Sequence, residues 1–271
     1  MTTRRTPPEM WDAHAYERFG DFRARPIGDL LHRVEAADPR LVVDLGCGSG
    51  ASTRPLAARW PGARVVGVDS SPDMLARARQ ASTSSRIQWV EADITTWEPP
   101  SAPDVIITNA VLQWIPGHLE LLPRWISSLA PGGWFAMQVP GNADEPSHAL
   151  MRDLVADLPE GPELLPLLLG KTGVEDPAGY AAALHAAGAE EIDAWETTYV
   201  HLLDPDNRLE NAVLEWVRGT GLRPLLGKLD ADREAAFLAR YGQALQDAYP
   251  RTSMGVPLPF RRVFAVGRRP A

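Results

Sequence analysis

The stretch Asp44-Leu45-Gly46-Cys47-Gly48-Ser49-Gly50 holds the residues of this 271-residue chain whose types and spacing point most directly to chemistry. Glycines on alternate positions, Gly46, Gly48 and Gly50, permit a tight backbone turn and a close approach to a ligand. Dinucleotide loops run G-x-G-x-x-G and bring a pyrophosphate to a helix N-terminus. Here the third glycine comes one residue early and Asp44 precedes the loop, a poor neighbour for pyrophosphate and a good one for a cation. Asp69 stands where a carboxylate can take both hydroxyls of a ribose. Asp93 stands where one can accept a hydrogen bond from the exocyclic amine of adenine. Three carboxylates after three consecutive strand patterns fit a nucleoside that carries positive charge and no phosphate. The plainer alternatives are a loop that serves only as a strand-to-helix turn and an Asp93 that only caps a turn before Ile94.

The elements that must position these groups are legible in the same stretch. A buried-strand run, Leu41 to Val43, leads into the loop, and a helical pattern from Ala51 to Trp60 leaves it. Arg64 to Val68 is β-rich and ends at Asp69. Ser70-Ser71-Pro72-Asp73 reads as a helix start, with a serine cap, proline in the first turn and an acid beside it. Ile87 to Val90, Asp104 to Thr108 and Trp134 to Val139 predict three further strands, with a helix over 118–129. Strands alternating with helices of this length imply right-handed βαβ units and a parallel sheet. Beyond Val139 the rhythm changes: helices near 147–158 and 178–187, a strand over 191–203 with Trp195, Thr197, Tyr199 and His201 on one face, a mostly helical stretch over 208–250, and a last strand at 261–266. Two helical stretches are expected between Met10 and Val34.

Composition narrows the class. Apolar content of 45% and charged content of 23% are those of an ordinary globular protein. A net charge of -8 argues against general nucleic-acid binding. No apolar run approaches a membrane span, and Met1 to Trp11 lacks the apolar core of a secretory signal. Cys47 is the single cysteine, so neither an intrachain disulfide nor a multi-cysteine metal site is expected, and the six histidines show no metal spacing. A cytoplasmic location follows as the default. Cys47 reads as a space-filling thiol.

The loop with Asp69 and Asp93 resembles the class I S-adenosylmethionine-dependent methyltransferases over about Leu41 to Val139. Arg23-Ala24-Arg25-Pro26, Asn109 to Trp114, Thr197-Thr198-Tyr199, Thr220 to Pro224, Phe237 to Tyr241 and Arg261 to Phe264 extend the likeness to the branch of that family that methylates trans-aconitate. The Pro/Leu-rich segment 159–173 departs from the pattern. The resemblance implies a Rossmann-like α/β fold, a seven-stranded and mostly parallel sheet with an antiparallel last strand, plus a helical cap. It implies domain limits of 1–40 for N-terminal helices, 41–203 with 259–271 for the core, and 204–258 for a cap serving as a lid. It implies S-adenosylmethionine as cofactor. Gly46, Gly48 and Gly50 would line its methionine and ribose, Asp44 its ammonium, Asp69 and Ser70 its ribose, Asp93 and Ile94 its adenine, and Asn109 the reacting methyl.

The acceptor implied is a small polycarboxylic acid, trans-aconitate above all, giving a monomethyl ester. A carboxylate is ionised at neutral pH, so its methylation requires no general base. It requires orientation, cationic partners and exclusion of water. Arg223 is the first candidate for that cation, because its planar fork binds carboxylates at two points. Gln113, Trp114, Tyr199, Arg23 and Arg261 are lesser substrate candidates, each with a packing or surface role as its alternative. Methylation of another small metabolite, or a nucleotide-binding sensor without turnover, are the competing functions.

Overall fold

The computed structural model describes residues 20–82, 84–168 and 173–271, with side chains from Arg25 onward. Helix α1 (Gly20–Leu31) buries Ile27, Leu30 and Leu31, as their helical spacing predicts. The helical stretch expected ahead of Gly20 lies outside the described residues. The chain then runs β1 (Leu41–Leu45), α2 (Thr53–Arg59), β2 (Arg64–Asp69), α3 (Pro72–Ala81), β3 (Ile87–Glu91), β4 (Val105–Asn109), α4 (Leu122–Ser128) and β5 (Trp134–Pro140). Helix α3 begins as its sequence dictates: Ser71 Oγ accepts from Met74 N at 3.3 Å, with Pro72 and Asp73 in the first turn. The helix expected over 118–129 is instead a 3-10 turn (His118–Leu121) followed by α4. Pro123 near the start of α4 has no N–H to continue an α-helical ladder across that point.

After β5 come α5 (Pro146–Ala156), α6 (Gly161–Leu164), α7 (Pro177–Ala186), β6 (Glu190–Leu203), α8 (Ala212–Arg218), α9 (Ala231–Ala248) and β7 (Val256–Arg268). The seven strands form one sheet ordered β3-β2-β1-β4-β5-β7-β6. Strands β1 to β5 pair in parallel, and β7 runs antiparallel to β5. Strand β7 begins earlier than its apolar run suggests. Pro257 and Pro259 hide its start, because proline cannot donate to a ladder, and pairing with β5 begins only at Arg262. No helix among the described residues is long and apolar enough to cross a membrane.

The chain divides into two compact units. One comprises residues 23–141, 173–198 and 261–271 and holds the sheet's carboxyl-end loops. Its core joins Leu45, Val68, Ile106, Phe135 and Met137 of the strands to Leu122, Trp125, Tyr180 and Leu184 of the helices. The other is built on the segment beginning at Asn142 and on Tyr199–Phe260. The expected cap limits of 204–258 fall inside this second unit, which also takes in the segment from Asn142. Met151, Val155 and Leu164 cluster with Trp216, Phe237, Tyr241 and Leu245. The Ser147 backbone is gripped from both sides, since Tyr241 Oη donates to its carbonyl and its N–H donates to Tyr249 Oη at 3.0 Å. Those long-range contacts bind α5 to α9.

Within the sheet unit, register fixes which residues share a face. Asp44 lies beside Ile107, Asn109 beside Gln138, and Gln138 beside Phe264. Side chains alternate along each strand, so Asp44, Asn109, Gln138 and Arg262 all project from the same face. Leu45, Ile106, Met137 and Val263 project from the other, into the apolar core. Strand order reverses at β1, which makes the carboxyl ends of β1 and β4 the crevice where α/β sheets bind ligands.

Candidate active site

Asp44 is fully buried in β1. Its Oδ2 accepts from Ser52 Oγ at 2.9 Å and Thr53 Oγ1 at 2.6 Å, while its buried Oδ1 receives no hydrogen bond. Burial raises its pKa to about 6; the Thr53 and Ser52 hydroxyls pull it down and Asp69 adds to the rise. An orphaned buried acceptor costs about 1–3 kcal/mol. A cationic N–H donor arriving at Oδ1 removes that penalty and favours the charged form, so the residues present fit an ammonium ligand.

Asp69 closes the loop onto β2. Its Oδ2 accepts from Gly48 N and its Oδ1 from Ser71 N, both at 2.8 Å. Gly46 N and Cys47 N donate to Val68 O at 2.8 and 3.0 Å. Each carboxylate oxygen has a second lone pair, so Asp69 can still receive a ribose diol while it shapes the loop. Ser70 beside it is exposed.

Gly46 and Gly50 have φ of 74° and 78°. A Cβ on Gly46 would stand 2.4 Å from Val111 Cγ2, and one on Gly50 would stand 2.5 Å from Trp89 Cη2. These two glycines let protein pack on protein. The open approach expected of all three belongs to Gly48, where the nearest atom to such a Cβ is Met74 Cε at 3.9 Å. Cys47 is buried, and burial together with Asp44 and Asp69 pushes its thiol upward, which keeps it protonated and unreactive.

Asp93 is exposed, and its Oδ1 accepts from Thr95 N and Thr95 Oγ1, both at 2.8 Å. Those bonds hold its pKa below the ordinary value. It caps a turn, and Oδ2 is left for a ligand amine. The Ile94 side chain is buried in the sheet core, and its carbonyl accepts from Arg124 Nη2 at 3.0 Å.

At the end of β4 the Asn109 Oδ1 is buried without a partner. Ala110 follows at φ 58°, a left-handed backbone disfavoured by a side chain. It is pinned by Ala110 N donating to Gln138 O and by Gln113 Nε2 donating to Ala110 O, both at 2.8 Å. Strain of this kind gathers at functional sites. Gln113 is thus a brace for the turn, and Trp114 beside it is 42% exposed.

The other substrate candidates are divided between the two units. Arg261 gives Nε and Nη2 to Glu196 Oε2 at 2.9 and 2.5 Å and Nη1 to Gly141 O at 3.2 Å, so Glu196 neutralises its charge. Arg223 is half-buried in the turn after α8, and Tyr199 is buried with its ring 6.3 Å from that of His201; both belong to the second unit. The Arg23 side chain lies outside the described residues, and Arg25 is exposed. Sequence reasoning missed Ser52 and Thr53, which look like ordinary helix-start residues, and Val111 and Trp89, whose contacts with the loop cross between elements. The structure also buries Gln138 in β5 and Arg262 in β7, which the sequence does not single out as interior residues.

A family model described as a methyltransferase domain matches residues 42–133. A trans-aconitate 2-methyltransferase of Streptomyces avermitilis is 48% identical over 267 residues, covering 96% of this chain and 97% of its own. The chain belongs to the trans-aconitate 2-methyltransferase family. Relatives of that name in Streptomyces coelicolor (50% over 268 residues, 96% of this chain and 87% of theirs) and Methylobacterium nodulans (48% over 260 residues, 96% and 98%) match along the same length. Solved structures share the fold: YcgJ of Bacillus subtilis has a TM-score of 0.58 at 13% identity, over 91% of this chain and 99% of that one. Phosphoethanolamine N-methyltransferase 2 of Haemonchus contortus, in complex with S-adenosylhomocysteine, has a TM-score of 0.55 at 17% identity, over 91% of this chain and 53% of that one. As a member of the trans-aconitate 2-methyltransferase family, the protein is an S-adenosylmethionine-dependent methyltransferase acting on a small molecule.

Proposed function

We propose that this enzyme methylates one carboxylate of trans-aconitate, giving a monomethyl ester. The observation that carries the reading is likeness to relatives of that name along 96% of the chain, well beyond the methyltransferase-domain match at 42–133. Asp44 would hold the cofactor ammonium at its orphaned Oδ1, Asp69 the ribose diol, Asp93 Oδ2 the adenine amine, and the open face of Gly48 would admit the methionine portion. When bound, S-adenosylmethionine supplies an electrophilic methyl on a sulfonium. The chain's part is orientation and dehydration. The acceptor carboxylate is already ionised, and its charge is lost on transfer, so a site that excludes water favours the reaction. Arg223 remains a candidate partner for another carboxylate of the acid. We place the enzyme in the cytoplasm, in keeping with its single cysteine. Incubation with S-adenosylmethionine and trans-aconitate, followed by mass spectrometry, should give the monomethyl ester. Turnover of other carboxylic acids with none of trans-aconitate would remove the substrate assignment.

A further inference from the structure

Outside the cofactor loop, the described residues of the sheet unit include a buried pair of polar side chains inside the strands, Gln138 and Arg262, that packing alone does not explain. Gln138, in the middle of the apolar strand β5, is fully buried. Its Oε1 accepts from Nη1 of Arg262, itself only 5% exposed, at 3.4 Å. A guanidinium has no acceptor, so this contact fixes which end of the amide faces it. The Nε2 end points away, is buried, and has no hydrogen-bond partner. Beside it in register stands Asn109, whose Oδ1 is likewise buried without a partner. An amide N–H left bare in the interior is destabilising, and an apolar residue at position 138 would avoid it.

This group shares a sheet face with the cofactor candidates Asp44 and Asn109. Asn109, Gln138 and Arg262 project from the sheet face that also carries Asp44, and neighbouring strands lie about 4.8 Å apart. The buried donor pair is therefore one to two strands from Asn109 at the carboxyl end of β4, where the strained Ala110 turn begins. An N–H without a partner beside a buried guanidinium presents donors only, and an anionic oxygen acceptor such as a carboxylate gains most from that pairing.

We propose that Gln138 Nε2 and Arg262 form the subsite that receives a carboxylate of the acceptor acid, with Gln138 oriented for the task by its bond to Arg262. This rests on the acid-methylating reading and names the residues that would deliver it. Arg262, rather than its half-buried neighbour Arg261, then supplies the cation within the sheet unit.

Gln138→Glu separates the roles. It keeps an acceptor for Arg262 but replaces the N–H donors with a carboxylate oxygen, which repels an incoming acid. The S-adenosylhomocysteine complex of the variant should bind trans-aconitate about a hundredfold more weakly by calorimetry, since like charges placed together repel. Affinity for S-adenosylhomocysteine should stay within about twofold, and the melting temperature should hold or rise, because the Arg262 contact is strengthened. Gln138→Leu should weaken acid binding about tenfold, the scale of one buried hydrogen bond. Equal acid affinity in parent and Gln138→Glu would overturn the subsite, as would a parent complex that binds none of trans-aconitate, citrate and succinate. The parent's methylation assay keeps the two ideas apart. A parent that binds trans-aconitate through Gln138 without methylating it supports the subsite and removes the activity. A parent that methylates it, with Gln138→Glu unimpaired, does the reverse.

Discussion

The carboxyl ends of β1 and β3 carry the same residue type and opposite electrostatics. Asp44 is sealed from solvent, keeps one oxygen without a donor, and has its pKa pushed up to about 6. Asp93 is exposed, has its Oδ1 occupied by Thr95, and has its pKa held down. Burial makes Asp44 a group that is unsatisfied until a cation arrives, whereas hydration leaves Asp93 comfortable alone. A ligand bridging the two should therefore draw far more of its affinity from the first. Asp69, half-buried and bonded to the loop backbone, stands between them.

Substitution should reproduce that order. Asp44→Ala should weaken S-adenosylhomocysteine binding roughly a hundredfold, the scale of about 3 kcal/mol for breaking a buried charge pair. Its companion Asp44→Asn should at the same time raise the melting temperature of the cofactor-free protein at pH 7. The sign follows from linkage. A carboxyl raised to about 6 in the folded state lends stability that is full below its unfolded value and is lost as pH rises through 6. Calorimetry showing Asp44→Ala no worse than Asp93→Ala would break the comparison.

Asp69→Ala should cost about thirtyfold in cofactor affinity and also about 2 kcal/mol of stability, because the Gly48 and Ser71 N–H groups lose their acceptors. Unchanged denaturant midpoints would show that the loop does not depend on that clamp. A third effect sharpens the contrast without mutation. Binding that needs Asp44 ionised should weaken about tenfold at pH 5 relative to pH 7, since the proton must leave a carboxyl with a pKa of about 6. Asp93, held below its ordinary value, should add no pH dependence in that window, and Asp44→Asn should flatten the profile. Smallest of all, Asp93→Ala should weaken the cofactor about fivefold or less, and Asp93→Asn, which keeps an acceptor for Thr95, should lie closer to the parent.

The sheet and its first ligand were largely legible in advance, because the signals are local. Strand, glycine turn, serine cap and strand-end acid each occupy a few adjacent residues, and the observed β1 to β5 follow them closely. The glycines were read correctly as a turn but incompletely as to cause. The steric demand at Gly46 and Gly50 comes from Val111 and Trp89, on other strands and turns. The segment from Asn142 looked like an extension of the sheet domain. Its attachment is set by Tyr241 and Tyr249, about a hundred residues further on, which leave no periodic trace near Ser147.

Arg261 and Arg262 mark the limit of sequence reasoning most sharply. By itself the sequence determined an α/β chain with a loop for a phosphate-free, cationic nucleoside and arginines enough for an acid. It could not rank two adjacent arginines of identical chemistry. Strand alternation turns one toward Glu196 and the other toward Gln138, and only the pairing of β7 with β5 decides which. The same holds for Asp44, whose identity is local but whose burial, raised pKa and open oxygen are products of everything packed around it.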